Sequence, residues 1–225
     1  MNLTANRLTA AAGLCAVAAG ATFVGVQINH PPSDVAHVVT TDVAIREGAK
    51  AVMAVLALAG ITGMFVRNRR QFGLLGLAGY VLLSIGYLAI FAVQCIVGFV
   101  LPTVALTSPG YVQDFIDGAV GRAPAGEIGR ASELFLTAGL GYAVGGLLFG
   151  IALFRAGVLA RWASVLLAYG TFSALALAVL PESFSRPFAV PTGIALIGLG
   201  VSLYRDQRRQ ANEAPASELP VAAGR

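Results

Sequence analysis

The sequence predicts an all-α fold, a polytopic transmembrane helical bundle of six spans with both termini in the cytoplasm. Three observations predict it. Six apolar runs of near-spanning length lie at 8–28, 48–66, 72–101, 134–154, 162–180 and 188–204. Charged residues make up 12% of the chain, against about 25% in a soluble globular domain. Basic residues crowd into alternate gaps between the runs. A hydrocarbon core of roughly 30 Å takes about 20 helical residues to cross. Lipid offers backbone N–H and C=O groups no partner, so runs of this kind are helices.

The charge distribution sets the orientation. Segments 1–7, 67–71, 155–161 and 205–225 hold ten of the 15 basic residues and three of the 11 acids, a formal charge of +7; the rest of the chain carries −3. Lys and Arg in short loops mark the cytoplasmic face, which puts both termini inside and requires an even number of spans. The expected location is the cytoplasmic membrane, as a multi-pass protein. Trp162 and Tyr204, beside Arg161 and Arg205, fit an aromatic belt at that face. The positive excess is therefore a topology signal, and its natural partner is the lipid bilayer with its anionic headgroups. No nucleic-acid partner is expected, because no basic patch with interleaved aromatics exists.

The elements follow in order. Residues 1–21 have some signal-peptide character, with Arg7 before an Ala-rich stretch, but the apolar run continues through Phe23, Val24 and Val26 to Ile28. We read it as a retained span; cleavage would leave five. Residues 29–41 form an outer loop that Pro31 and Pro32 start in an extended conformation. Asp42 is the expected cap of the second helix, which puts Arg46, Glu47 and Lys50 on its first turns. Glu47 and Lys50 are three apart and can pair. Arg67-Asn68-Arg69-Arg70 reads as a tight inner turn. The third run is longer than a span needs and is expected to end at Pro102.

The outer segment 107–132 contains a short helix by its pattern. Ser108-Pro109 starts it, and Tyr111, Val112, Phe115, Ile116 and Ala119 recur at helical spacing. It either lies on the outer leaflet as an interfacial helix or covers a cavity as a lid. Pro187 and Pro191 delay or kink the sixth helix. Residues 1–204 thus form one transmembrane domain, and 205–225 a disordered cytoplasmic tail.

Chemistry is sparse. No Asp, Glu, His, Lys or Arg lies in the middle of a run, which argues against a proton-coupled pump and an intramembrane hydrolase. Neither histidine, His30 or His37, is placed to ligate a haem between helices. Both read as solvated loop residues, and His30, Asp34 and His37 match no recognised metal spacing. No catalytic residue, metal or cofactor is expected. Cys15 and Cys95 are single and on separate runs, so no paired redox centre exists.

The runs do carry small residues at packing intervals. Gly141/Gly145 and Gly146/Gly150 are two G-x-x-x-G patterns on the fourth helix. They serve packing within the bundle or homodimerisation. Gln94, Arg130, Glu133, Glu182 and Arg186 all fall near the outer face, as a candidate outer vestibule or as ordinary surface pairs.

From Leu140-Gly141 through Gly150-Ile151-Ala152-Leu153-Phe154-Arg155 to Arg161-Trp162, the chain resembles small bacterial six-span integral membrane proteins of unknown function. The likeness covers about 133–204. It implies fold and membrane location and assigns no catalytic or binding residue.

The expectation is a membrane protein without catalytic chemistry, structural, regulatory or accessory, and partnered by its own copies or another membrane protein. The alternative is a small carrier or channel for a neutral or apolar solute. A carrier requires hydroxyls from Tyr80, Ser84, Tyr87, Tyr142, Tyr169, Thr171 and Ser173 to converge on one interior face.

Overall fold

The computed structural model describes residues 5–175 and 185–213. Every regular element among them is helical: α1 (Ala5–Gly25), α2 (Val35–Val38), α3 (Thr41–Cys95), α4 (Leu101–Val104), α5 (Pro109–Ala119), α6 (Ala131–Ala156), α7 (Arg161–Ser173) and α8 (Ser185–Glu213). A π-helical segment, Ile96–Val100, joins α3 to α4.

Between Thr41 and Cys95, α3 is two limbs. Gly73 has φ 56° and ψ −158°, a conformation essentially reserved for glycine. The chain reverses there. Thr62 Oγ1 meets Tyr80 OH at 3.0 Å, although 18 residues of straight helix would separate them by about 27 Å. Phe65 stacks on Tyr80 with ring centroids 4.4 Å apart. The expected turn at 67–70 is therefore displaced. Those residues are helical, Asn68 is buried, and the reversal waits for the residue that can adopt positive φ.

Glycine contacts then close the helices into a ring. Gly60 and Gly63 of the first limb rest on Ala16 and Ala12 of α1. On the second limb, Gly79 and Gly86 meet Phe149 and Tyr142 of α6, whose Gly146 and Gly150 meet Thr171 and Ala168 of α7. Gly170 of α7 meets Thr192 of α8, and Gly200 and Gly193 of α8 return to Gly13 and Gly20 of α1. At each interface the numbers rise on one helix as they fall on the other, so all neighbours are antiparallel. Without a hydrophobic drive between helices in lipid, such close backbone approach supplies the van der Waals contact that holds a bundle together. Gly141, Gly145, Gly146 and Gly150 are all spent this way, the first two on the second limb and the last two on α7.

Three helices are long and apolar enough to cross a membrane: α1, the stretch Thr41–Val104, and α6. The 64-residue stretch contains two of the expected spans because it doubles back at Gly73. Among the described residues α7 has 13 residues, and its run continues into 176–180, outside them.

Four local expectations are corrected. Thr40, not Asp42, caps α3: its hydroxyl accepts from Val43 N, while Asp42 pairs with Arg46 at 2.9 Å. Pro102 does not end the third run; it sits in the first turn of α4, which follows the π-helical segment directly. The sixth helix is not delayed; it runs from Ser185 through Pro191. It also continues to Glu213, into the segment expected to be a disordered tail, with Gln207 buried and Asp206 paired to Arg67.

Candidate functional site

At the end of the bundle opposite the Gly73 turn, the loops build a roof. Asp34 caps α2: its Oδ1 accepts from His37 N at 2.9 Å and lies 2.7 Å from His37 Nδ1. The His37 side chain beside it holds the Asp34 carboxyl below the ordinary carboxylate range. Val35 N donates to Gln113 Oε1 of α5, and Arg122 donates to Ser33 O, so the loop after α1 and the segment around α5 are tied together.

The amphipathic pattern of α5 is spent on this roof. Val112, Phe115 and Ile116 are buried against Val38, Val43 and Leu101, and Phe115 meets Phe135 edge-on at 5.0 Å. Burying three such side chains contributes roughly 5 kcal/mol, enough to hold the helix in place. Val112, Phe115 and Ile116 of α5 thus point into the protein, while Tyr111 and Ala119 stay exposed.

Beneath α5 lies a cavity of about 180 Å³. Its lining divides between aliphatic side chains, among them Val38, Val43, Val93, Val97 and Ile116, and polar ones, His30, Ser33, Asp34, Glu47, Lys50 and Gln94. Glu47 is only 4% exposed. Its Oε1 accepts from Lys50 Nζ at 2.5 Å and lies 3.7 Å from His30 Nε2. Lys50 Nζ also stands 3.1 Å from His30 Nε2, and His30 Nδ1 is 2.8 Å from Pro31 O. A carbonyl can only accept, so Nδ1 carries the proton, which leaves Nε2 to accept from the ammonium. The polar chain thus runs from the Pro31 carbonyl through His30 and Lys50 to Glu47.

The π segment shapes the opposite wall. Gly98 lies directly against Glu47: a Cβ there would stand 2.8 Å from Glu47 Cβ. Pro102 removes one donor just beyond, and the helix widens before it. Such single-turn widenings are frequent at functional sites.

Several hydrogen-bonding positions remain unspent. Glu47 Oε2, one Lys50 proton and the Gln94 amide have no protein partner among the described residues. A second cavity of about 190 Å³ shares Val93, Gln94 and Ala119 with the first and reaches inward to Tyr142. There it meets an aromatic floor. Tyr87 and Tyr142 pack edge-to-face at 5.8 Å, and the buried Tyr87 hydroxyl and Thr192 Oγ1 have no hydrogen-bond partner within range among the described residues.

Of the residues expected in the vestibule, Gln94 lines the cavity. Arg130 and Glu133 do not; their side chains are 93% and 72% exposed, and they stand 4.0 Å from each other on the surface. Glu182 and the side chain of Arg186 lie outside the described residues. The convergence of hydroxyls that would mark a carrier does not occur among the described residues. Ser84, Thr171 and Ser173 donate to the carbonyls of Tyr80, Leu167 and Gly170 on their own helices, and Tyr169 is exposed.

Sequence reasoning missed His30, which is an anchored member of the cluster and not a solvated loop residue. The available signal was Pro31-Pro32, which fixes the chain beside it, together with the Glu47/Lys50 pair at the mouth of the next helix. Among the described residues no group of three His, Cys, Asp or Glu side chains is placed to hold a metal ion.

No protein-family model, no curated protein and no solved structure matches this chain.

Proposed function

We propose that this is a six-span protein of the cytoplasmic membrane, termini inside, that binds a small polar molecule in a roofed pocket at its outer face. The alternating charge of the loops and the antiparallel order of the ring support the six crossings and their orientation. The observation that carries the binding function is the Glu47–Lys50–His30 cluster on the wall of the cavity under α5. Burying two charges there costs several kcal/mol in desolvation, more than an apolar pair would. A purely structural bundle has no need of that expense.

The unspent groups define the ligand. A carboxylate oxygen, an ammonium proton and a carboxamide together suit a small molecule with both donor and acceptor groups. An apolar cavity of about 150 Å³ accepts benzene, so the site takes a molecule of about that size with a small aliphatic part facing the valines. Binding, and not turnover, is the function proposed for this cavity.

A carrier is the second reading, favoured by the inner cavity that extends the site to Tyr142. The Tyr87–Tyr142 floor and the self-bonded hydroxyls make the closed receptor or accessory protein the better one. Thermal unfolding of the detergent-solubilised protein with small amino acids and small amides as probes tests it. The expected result is a raised Tm with at least one probe, lost in Lys50→Met; the same Tm response in both proteins would remove the proposed site.

A further inference from the structure

At the other end of the molecule, α7 and α8 leave an open groove of about 690 Å³. Its floor is apolar. Trp162 lies across Gly198, where a Cβ would stand 2.4 Å from Trp162 Cη2, and Ile194, Ile197 and Val201 extend the floor along α8. Its upper end is charged. Val201, Arg205 and Arg209 are spaced i, i+4, i+8 and share the groove face.

The charge is one-sided. Asp206 is the acid in the groove, and it is held by Arg67 from α3 and by the amides of Gln207 and Gln210. Other arginines nearby lie against rings: Arg161 over Phe154 and Arg208 over Tyr204. Arg205 and Arg209 have neither arrangement; both are exposed, and no carboxylate among the described residues pairs with them. From the level of Gly198, Arg205 and Arg209 stand about 10 and 16 Å further along the helix axis. An apolar channel leading to two uncompensated guanidinium groups has the length and polarity of an acyl chain leading to a phosphate.

We propose that this groove is a binding site for an anionic phospholipid of the inner leaflet. The acyl chain lies on Trp162, Ile197 and Val201, and Arg205 and Arg209 grip the phosphate, which guanidinium forks recognise bidentately. The site rests on the membrane reading above but is independent of the outer pocket.

Trp162 is the single tryptophan of the chain, so its fluorescence reports the groove directly. The protein is reconstituted in phosphatidylcholine bilayers containing phosphatidylglycerol, with bromine on the acyl chains of one lipid or the other. The expected result is stronger quenching by the brominated phosphatidylglycerol. Its apparent affinity should fall about fivefold for each arginine removed in Arg205→Gln and Arg209→Gln, and stay near wild type in Arg208→Gln. Equal quenching by both lipids would overturn the site while leaving the protein in the membrane. An equal loss in Arg208→Gln would overturn it too, as diffuse surface attraction. No quenching by either lipid would strike the membrane reading itself.

Discussion

Lys50 Nζ stands 3.1 Å from His30 Nε2, a contact that joins the loop after α1 to α3 across 20 residues of sequence. The same ammonium holds the buried Glu47, so one cation satisfies two acceptors. Its removal leaves both without a donor.

Lys50→Met and Glu47→Leu should therefore each destabilise the protein by roughly 3 kcal/mol, because each strands a buried charge. The double variant should recover much of that loss, since an apolar pair carries no desolvation cost. Unfolding in mixed micelles, read as a double-mutant cycle, measures the coupling; strict additivity of the two losses would show that the residues do not interact.

Much of this architecture was legible in the sequence. The runs, the charge alternation and the glycine spacing give the helices and their packing, because lipid and backbone hydrogen bonding leave so little freedom. The Ser108-Pro109 start and the spacing of Val112, Phe115 and Ile116 give α5. The site was less legible. Glu47 and Lys50 could be paired from their spacing, but His30 joins them only through the fold of the outer loop. Gly98 acquires meaning only when the hairpin about Gly73 brings it opposite Glu47. The displaced turn has a similar cause: arginines and Asn68 look like loop residues, yet Arg67 is satisfied by Asp206, nearly 140 positions later in the chain.

Gly98→Ala should disturb the site without touching its polar groups. The added methyl meets Glu47 Cβ at 2.8 Å, and the expected cost is about 1–3 kcal/mol from overpacking. The probe-induced Tm shift should shrink with it. An unchanged Tm and an unchanged shift would mean that the wall is not closed at Gly98.

The glycines of α6 provide an internal comparison. Gly145 lies on the backbone of Leu83, where a Cβ would come within 2.2 Å, while Gly139 has nothing within 4 Å. Gly145→Ala should cost about 3 kcal/mol, and Gly139→Ala should be neutral or stabilising by up to about 1 kcal/mol. If the two behave alike in thermal unfolding, the α3–α6 interface is not as described.

At Gly73 the constraint is conformational. Nothing stands within 4 Å of a Cβ there, yet φ is 56°. Gly73→Ala should cost about 1–3 kcal/mol through the backbone alone. Gly76→Ala, three residues on, meets the Phe72 side chain and serves as the steric counterpart. A Gly73→Ala protein as stable as wild type would contradict the reversal at this residue.

The cap on α2 should depend on pH in one direction. The Asp34 carboxyl is held below its ordinary value of 3.8 by the His37 side chain and amide. Its contribution to stability is therefore present above that value and lost as pH falls through the lower, folded-state pKa. Hydrogen exchange at the His37 amide should accelerate only in that acid range, and Asp34→Asn should abolish the acid step. An acid step that persists in the variant would assign it to another group.

The most direct test of the account is thiol accessibility in intact cells, with single cysteines in a Cys15→Ser, Cys95→Ser background. Val97→Cys probes the cavity wall, Ser108→Cys the outer loop, and Asn212→Cys the exposed end of α8. The account predicts that a small, water-soluble, impermeant reagent labels positions 97 and 108 from outside and reaches 212 only after permeabilisation. Labelling of 212 from outside, or silence at 97 while 108 reacts, would contradict it.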